Sequence, residues 1–152
     1  CMKLLVKAAE YTGHTLDPEK IEQFVKEKFE QKFKFPGFGH RVHTDDPRSI
    51  KLTELCMKNL KEEKLFYIKL AKMIEEKIFA VKGTKLPVNV DGMIGAVLLA
   101  LEIPGELANG IFMISRVPGL LAHYYEEKKT QKPMRNIDQK SAVYDGPAKR
   151  SI

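Results

Sequence analysis

The sequence predicts an all-α protein, and three observations carry that prediction. Apolar residues recur at helical spacing through most of the 152 residues. A helix-start signal appears twice, at Asp17-Pro18 and Asp46-Pro47. There a capping carboxylate precedes a proline whose missing N–H the first turn does not need. No stretch shows the sustained apolar–polar alternation of a half-buried sheet. The helices are too numerous and too varied for a simple bundle.

Taken in order, residues 2–12 place Leu4, Leu5 and Ala8 on one side, and Gly13 can end that helix. Asp17-Pro18 opens a second helix with Ile21, Phe24, Val25 and Phe29 on one face, stopping before Pro36. After Asp46-Pro47, Leu52, Leu55, Cys56 and Leu60 form one apolar stripe, and Phe66, Leu70, Met73, Ile74 and Ile78 form another. Both stripes read as core. Lys82-Gly83-Thr84-Lys85-Leu86-Pro87 is a break. Val88-Asn89-Val90-Asp91-Gly92 then opens a helix carrying Met93, Ile94, Val97, Leu98 and Leu101. Ile103-Pro104-Gly105 marks another start, running to about Ser115, and a last helix is expected from Pro118 to Lys128. From Thr130 onward the polarity is mixed, ending in Asp145-Gly146-Pro147, and an irregular tail is expected.

Composition narrows the partners. A hydrophobic content of 43% supports a sizeable core, and the absence of any apolar run of about 18 residues argues against a membrane span. The two cysteines lack metal-ligand spacing and make no disulfide framework, which fits a reducing cytoplasm. The opening Cys1-Met2-Lys3-Leu4-Leu5 carries no small-residue cleavage site and reads like the middle of a helix, so a longer parent chain is expected. The net charge is +6, from 26 basic and 20 acidic side chains. Nucleic acid is one partner such a charge allows. The lysines, however, interleave with glutamates, as in Lys26-Glu27-Lys28 and Glu62-Glu63-Lys64, the pattern of a solvated helix face. A modest positive bias also suits a small polyanion such as a nucleotide-bearing cofactor.

Four segments could carry chemistry. In Phe35-Pro36-Gly37-Phe38-Gly39-His40-Arg41, a glycine-flanked turn presents a histidine able to exchange a proton near neutral pH. The glycines would let backbone N–H groups approach a ligand. Asp45-Asp46-Pro47-Arg48 follows, and Arg48 offers a fork for a carboxylate. Taken alone, the glycine spacing favours an ordinary turn with a surface histidine and a helix-start arginine. Asp91 lies in an apolar stretch that would raise its proton affinity, though an N-cap aspartate is the commoner explanation. Arg116, in Ile114-Ser115-Arg116-Val117-Pro118-Gly119, sits at an expected helix junction where a charge needs a carboxylate partner, from protein or ligand. Arg135 alone is a surface arginine. His14, His43 and His123 show no metal or triad spacing.

Together and in this order, these segments resemble the citrate synthase superfamily. Pro36-Gly37-Phe38-Gly39-His40-Arg41-Val42 with Asp45-Asp46-Pro47-Arg48 resembles its second histidine motif. Asn89-Val90-Asp91 resembles its catalytic aspartate motif, and Ser115-Arg116 with Pro118-Gly119 its late arginine motif. Arg135 falls where the family has its last substrate arginine. Asp91-Gly92-Met93-Ile94-Gly95, and the tail Met134-Arg135-Asn136-Ile137-Asp138 with Tyr144-Asp145-Gly146-Pro147, are similar to the citryl-CoA lyase branch. The earlier part of that tail is also similar to the citrate synthase-like module of ATP-citrate lyase.

The resemblance implies a small CoA-binding domain over residues 1–104, and a C-terminal segment of the large dimerisation domain over residues 105–152. It implies cleavage of (3S)-citryl-CoA to acetyl-CoA and oxaloacetate, with His40 and Asp91 catalytic. Arg48, Arg116 and Arg135 would bind substrate carboxylates. Gly37, Phe38, Gly39 and Asn89 would lie against CoA, with Lys82 or Lys85 near its phosphates. No tightly bound cofactor or metal is implied, only the CoA thioester as substrate. The implied partners are a second copy and the N-terminal remainder of the enzyme, which would hold the family's first histidine in a His-Gly-Gly segment. Nothing resembles a phosphate-binding P-loop, because the turn at 37–39 lacks a following Lys-Ser/Thr. Citrate or 2-methylcitrate synthase is the competing enzyme, and a non-catalytic helical module binding a polyanion is the competing non-enzyme.

Overall fold

The computed structural model describes residues 1–41 and 44–134, with 138, 143 and 148. The described residues form six α-helices: α1 (Met2–Thr12), α2 (Pro18–Glu30), α3 (Pro47–Asn59), α4 (Phe66–Lys82), α5 (Val90–Ala100) and α6 (Ala108–Thr130). Single 3-10 turns at Glu62–Lys64 and Gly105–Leu107 lead into α4 and α6. Two compact units divide the chain, Cys1–Ile111 and Phe112–Ile152. Among the described residues, no helix is long and apolar enough to cross a membrane.

In the first unit α4 is the central helix, packed on α1, α2 and α5. Its Ile68, Leu70, Ile74 and Ile78 are sealed from solvent. They meet Leu4, Leu5 and Ala8 of α1, Ile21, Phe24 and Val25 of α2, and Met93 and Ala96 of α5 in one core. Each such aliphatic or aromatic side chain contributes about 1.5–3 kcal/mol by leaving water. The ends follow the sequence signals. Gly13 and Gly83 close α1 and α4 in the left-handed conformation. Asp17 and Asp46 cap α2 and α3 with their carboxylates, each followed by proline in the first turn.

The structure corrects two expectations. The Leu52–Leu60 stripe is only partly core, because α3 packs chiefly on α5 and so has one narrow buried face. Cys56 is buried, Leu52 and Leu60 are partly covered, and Leu55 is exposed. The second correction concerns the expected break near Pro118. α6 runs unbroken through that proline. Proline at 118 removes only the bond its N–H would have made to the Ile114 carbonyl, and helical turns on both sides carry the helix across. No residue of α6 is buried, and Met113, Val117, Leu120, Leu121 and Tyr124 form an exposed apolar stripe along it.

Candidate active site

The site is built where the glycine turn meets the start of α5. Gly37 and Gly39 have φ of +91° and +87°, conformations that disfavour any residue with a Cβ. The turn is pinned by its own backbone. The Gly39 N–H donates to the Pro87 carbonyl at 2.7 Å, and the Asn89 N–H donates to the Gly37 carbonyl at 3.0 Å. An isolated antiparallel bridge pairs Phe38 with Val88. The Phe38 ring meets Phe35 edge-on, with centroids 6.2 Å apart. Gly37 lies so close to the first turn of α5 that a Cβ on Gly92 would stand 2.3 Å from the Gly37 carbonyl oxygen. The glycines expected to admit a ligand thus admit, in the first instance, another stretch of the same chain.

Asn89 fastens the two segments. Its Oδ1 accepts from the Asp91 and Gly92 amides and caps α5, while its Nδ2 donates to the Gly39 carbonyl at 2.9 Å. Gly39 precedes His40, and Asn89 stands two residues before Asp91. One amide side chain therefore sets the spacing between the segment bearing the histidine and the helix bearing the aspartate. Because Asn89 is the cap, Asp91 is not. The capping explanation of Asp91 falls, and its carboxylate is left on the exposed side of the first turn. The apolar setting expected for it is not observed, since Val88 and Met93 turn into the core.

Arg48 lies beside His40, and the charge of Asp91 acts on it. Its Nε and Nη2 donate to the two carboxylate oxygens of Asp46, each at 3.0 Å, and its Nη2 lies 3.4 Å from His40 Nε2. Asp46 is buried at 1% exposure, and its Oδ2 also accepts the Val90 amide at 2.9 Å. The hydrogen bond from Arg48 holds the Asp46 carboxyl well below the usual carboxylate range, and burial opposes that effect without overcoming it. The guanidinium is in turn held more firmly protonated, first by the bond to Asp46 and further by the charges of Asp46 and Asp91. His40, Arg48 and Asp91 therefore share one electrostatic neighbourhood. Sequence reasoning saw Asp46 as a helix cap and missed this second role.

The remaining candidates are placed separately. Lys85 forms an ion pair with Asp45 through both carboxylate oxygens, at 2.8 and 2.9 Å. The Lys82 ammonium lies 5.1 Å from the centre of the Phe29 ring. Arg116 lies within α6, in the second unit, exposed and stacked 5.2 Å over Phe112. The helix junction expected there is absent. Arg135 and His43 lie outside the described residues. Among the described residues no three His, Cys, Asp or Glu side chains converge as metal ligands would.

Comparison with known proteins gives a consistent family. Residues 2–136 match the citrate synthase family in its C-terminal domain. Citrate synthase 2 of Bacillus subtilis is 35% identical over 154 aligned positions, covering 99% of this chain and 38% of that protein. Citryl-CoA lyase from Hydrogenobacter thermophilus superposes with a TM-score of 0.73 at 34% identity, over 99% of this chain and 57% of that one. ATP citrate lyase from Methanothrix soehngenii, solved in complex with citrate and coenzyme A, gives a TM-score of 0.68 at 27% identity, over 97% of this chain and 25% of that one. The chain spans well under half the length of the curated relatives it matches, 38% and 30% for two of them.

Proposed function

The chain belongs to the citrate synthase family, and from that premise we propose that it is the C-terminal part of an enzyme that cleaves (3S)-citryl-CoA to acetyl-CoA and oxaloacetate. The observation that carries the proposal is the gathering of His40, Arg48 and Asp91 around the start of α5, with Arg48 Nη2 3.4 Å from His40 Nε2. Asp91 also lies close enough to Arg48 to bear on its charge. A guanidinium beside a histidine, with a carboxylate near enough to act on it, brings together the groups a retro-aldol cleavage uses.

In that reaction His40 accepts the proton of the tertiary hydroxyl, and the oxygen becomes the oxaloacetate carbonyl. The carbon–carbon bond breaks, and its electron pair passes to acetyl-CoA as the enolate. Asp91 delivers a proton to the nascent methyl carbon. Arg48 holds a carboxylate of the substrate, and Arg116 and Arg135 bind others. The glycine turn and Asn89 lie along the CoA chain, with Lys82 or Lys85 toward its phosphates. Residues 1–104 act as the CoA-binding domain, and residues 105–152 belong to the domain that dimerises. The family's first histidine comes from the rest of the enzyme and steadies the enolate oxygen. The free cysteines Cys1 and Cys56 suit a reducing compartment such as the cytoplasm.

The 35% identity with a citrate synthase favours a second reading, the reverse condensation. The test is the intact enzyme supplied with citryl-CoA, with oxaloacetate followed through a coupled dehydrogenase. Cleavage without ATP is expected. Brisk condensation of acetyl-CoA and oxaloacetate to free citrate, with citryl-CoA hydrolysed and not cleaved, would establish the synthase.

A further inference from the structure

Capping α3 accounts for only part of what Asp46 does. A cap needs one oxygen, and Asp46 Oδ1 meets that need by accepting the Arg48 amide at 3.0 Å. The same oxygen takes Arg48 Nε at 3.0 Å. The other oxygen, Oδ2, accepts both Arg48 Nη2 at 3.0 Å and the Val90 amide at 2.9 Å. All four acceptor positions of the carboxylate are filled. The side chain is fully buried, while the Arg48 side chain is about half exposed (51%). Val90 immediately precedes Asp91, so one buried oxygen joins the Arg48 guanidinium to the backbone that carries Asp91. The two anchored segments are 44 residues apart in the chain.

We infer that Asp46 is a positioning residue that fixes the Arg48 guanidinium relative to Asp91, so that the outer edge of Arg48 meets a substrate carboxylate at a set distance from the proton donor. The inference rests on the function proposed above. Arginine has five donors, and Asp46 takes the Nε–H and one Nη2–H, leaving the Nη1 edge for the ligand. Removing the shared oxygen frees the fork to rotate and releases the start of α5.

The test is a double-mutant cycle in the intact enzyme, with oxaloacetate and CoA binding measured by calorimetry. Asp46→Asn keeps the size and capping ability of the residue, but sets an NH2 group against two donors. Oxaloacetate affinity should fall about tenfold or more, the scale of one lost charge-assisted hydrogen bond, while CoA affinity stays within about twofold. In an Arg48→Gln background, Asp46→Asn should change oxaloacetate affinity no further, because Asp46 acts through Arg48. Unchanged oxaloacetate affinity in Asp46→Asn, or an equal further loss in the Arg48→Gln background, overturns the inference and leaves the proposed function standing. A wild-type enzyme that binds neither oxaloacetate nor citrate overturns the proposed function, and the inference with it.

Discussion

Gly92 and Gly37 are the residues on which the site's geometry turns. A Cβ at Gly92 would stand 2.3 Å from a backbone oxygen, which cannot move aside as a flexible side chain could. Gly92→Ala should therefore cost about 1–3 kcal/mol, the range for overpacking a filled contact. Gly13→Ala is the control. It has open space around it, and only the left-handed backbone, φ +65°, opposes it at about 1–2 kcal/mol. Urea unfolding measures both losses, and activity lost beyond what the destabilisation explains is expected for Gly92→Ala alone, because only Gly92 packs against the glycine turn. A second prediction concerns Asp91. In the intact enzyme Asp91→Asn should nearly abolish turnover and leave CoA affinity intact, because it removes a proton donor and not a binding contact. Near-normal turnover would take Asp91 out of the chemistry. At this scale the sequence was legible in unequal measure. His40, Arg48 and Asp91 stood out because their residue types announce chemistry. Asp46 was hidden because capping already explained it, and its second partner, Val90, is far along the chain. The glycines signalled a close approach but not to what, since a ligand and a neighbouring helix demand the same missing Cβ.

At the level of elements, the helix ends were the most legible part, because a cap is a local event. Asp17, Asp46, Gly13 and Gly83 act where their sequence context says. What failed depended on distant surroundings. The burial of the α3 stripe is decided by how many helices reach α3, which no spacing within residues 47–59 encodes. Proline usually ends helices, yet the one hydrogen bond missing at Pro118 does not end α6. The link between α2 and α4 offers a test at this scale. Glu22 receives Lys26 at 2.7 Å from its own helix and Lys77 at 3.0 Å from α4. Hydrogen bonds from Lys26 and then Lys77 lower the Glu22 pKa from 4.5 to about 2. A carboxyl whose pKa is lower folded than unfolded adds stability above the unfolded value. That contribution drains away as pH falls from about 4.5 toward 2. Lys77→Met should therefore flatten the dependence of the unfolding midpoint on pH across that interval, and leave its slope above pH 5 unchanged. An unaltered acid limb in that variant would show that the α2–α4 pair adds nothing to stability.

At the scale of the whole molecule, the charge of +6 admits a polyanion-binding module as well as an enzyme. The structure weakens the first. Lys26, Lys51, Lys64, Lys69, Lys72, Lys77 and Lys85 are each paired with a carboxylate, so the positive excess is not gathered into one patch by these residues. Arg48 is paired as well, but its partner Asp46 is buried and takes two of its five donors, which fixes the guanidinium in place. That contrast makes a discriminating experiment. Oxaloacetate that binds the folded intact enzyme raises its stability by mass action, about 2.7 kcal/mol at a hundredfold excess over Kd. For a protein of some hundreds of residues this is a rise in Tm of roughly 5 °C. The rise should shrink severalfold in Arg48→Gln, because one of the ligand's carboxylates loses its fork, whereas the rise produced by CoA should remain. It should also survive moderate salt better than a diffuse electrostatic attraction would, since a fork in direct contact is screened less than charges a Debye length apart. Inorganic polyphosphate separates the readings. If it raises Tm as strongly as oxaloacetate does, and equally in wild type and Arg48→Gln, the binding belongs to the general charge of the surface. The enzyme reading expects a selective response to the small dicarboxylate that depends on one guanidinium.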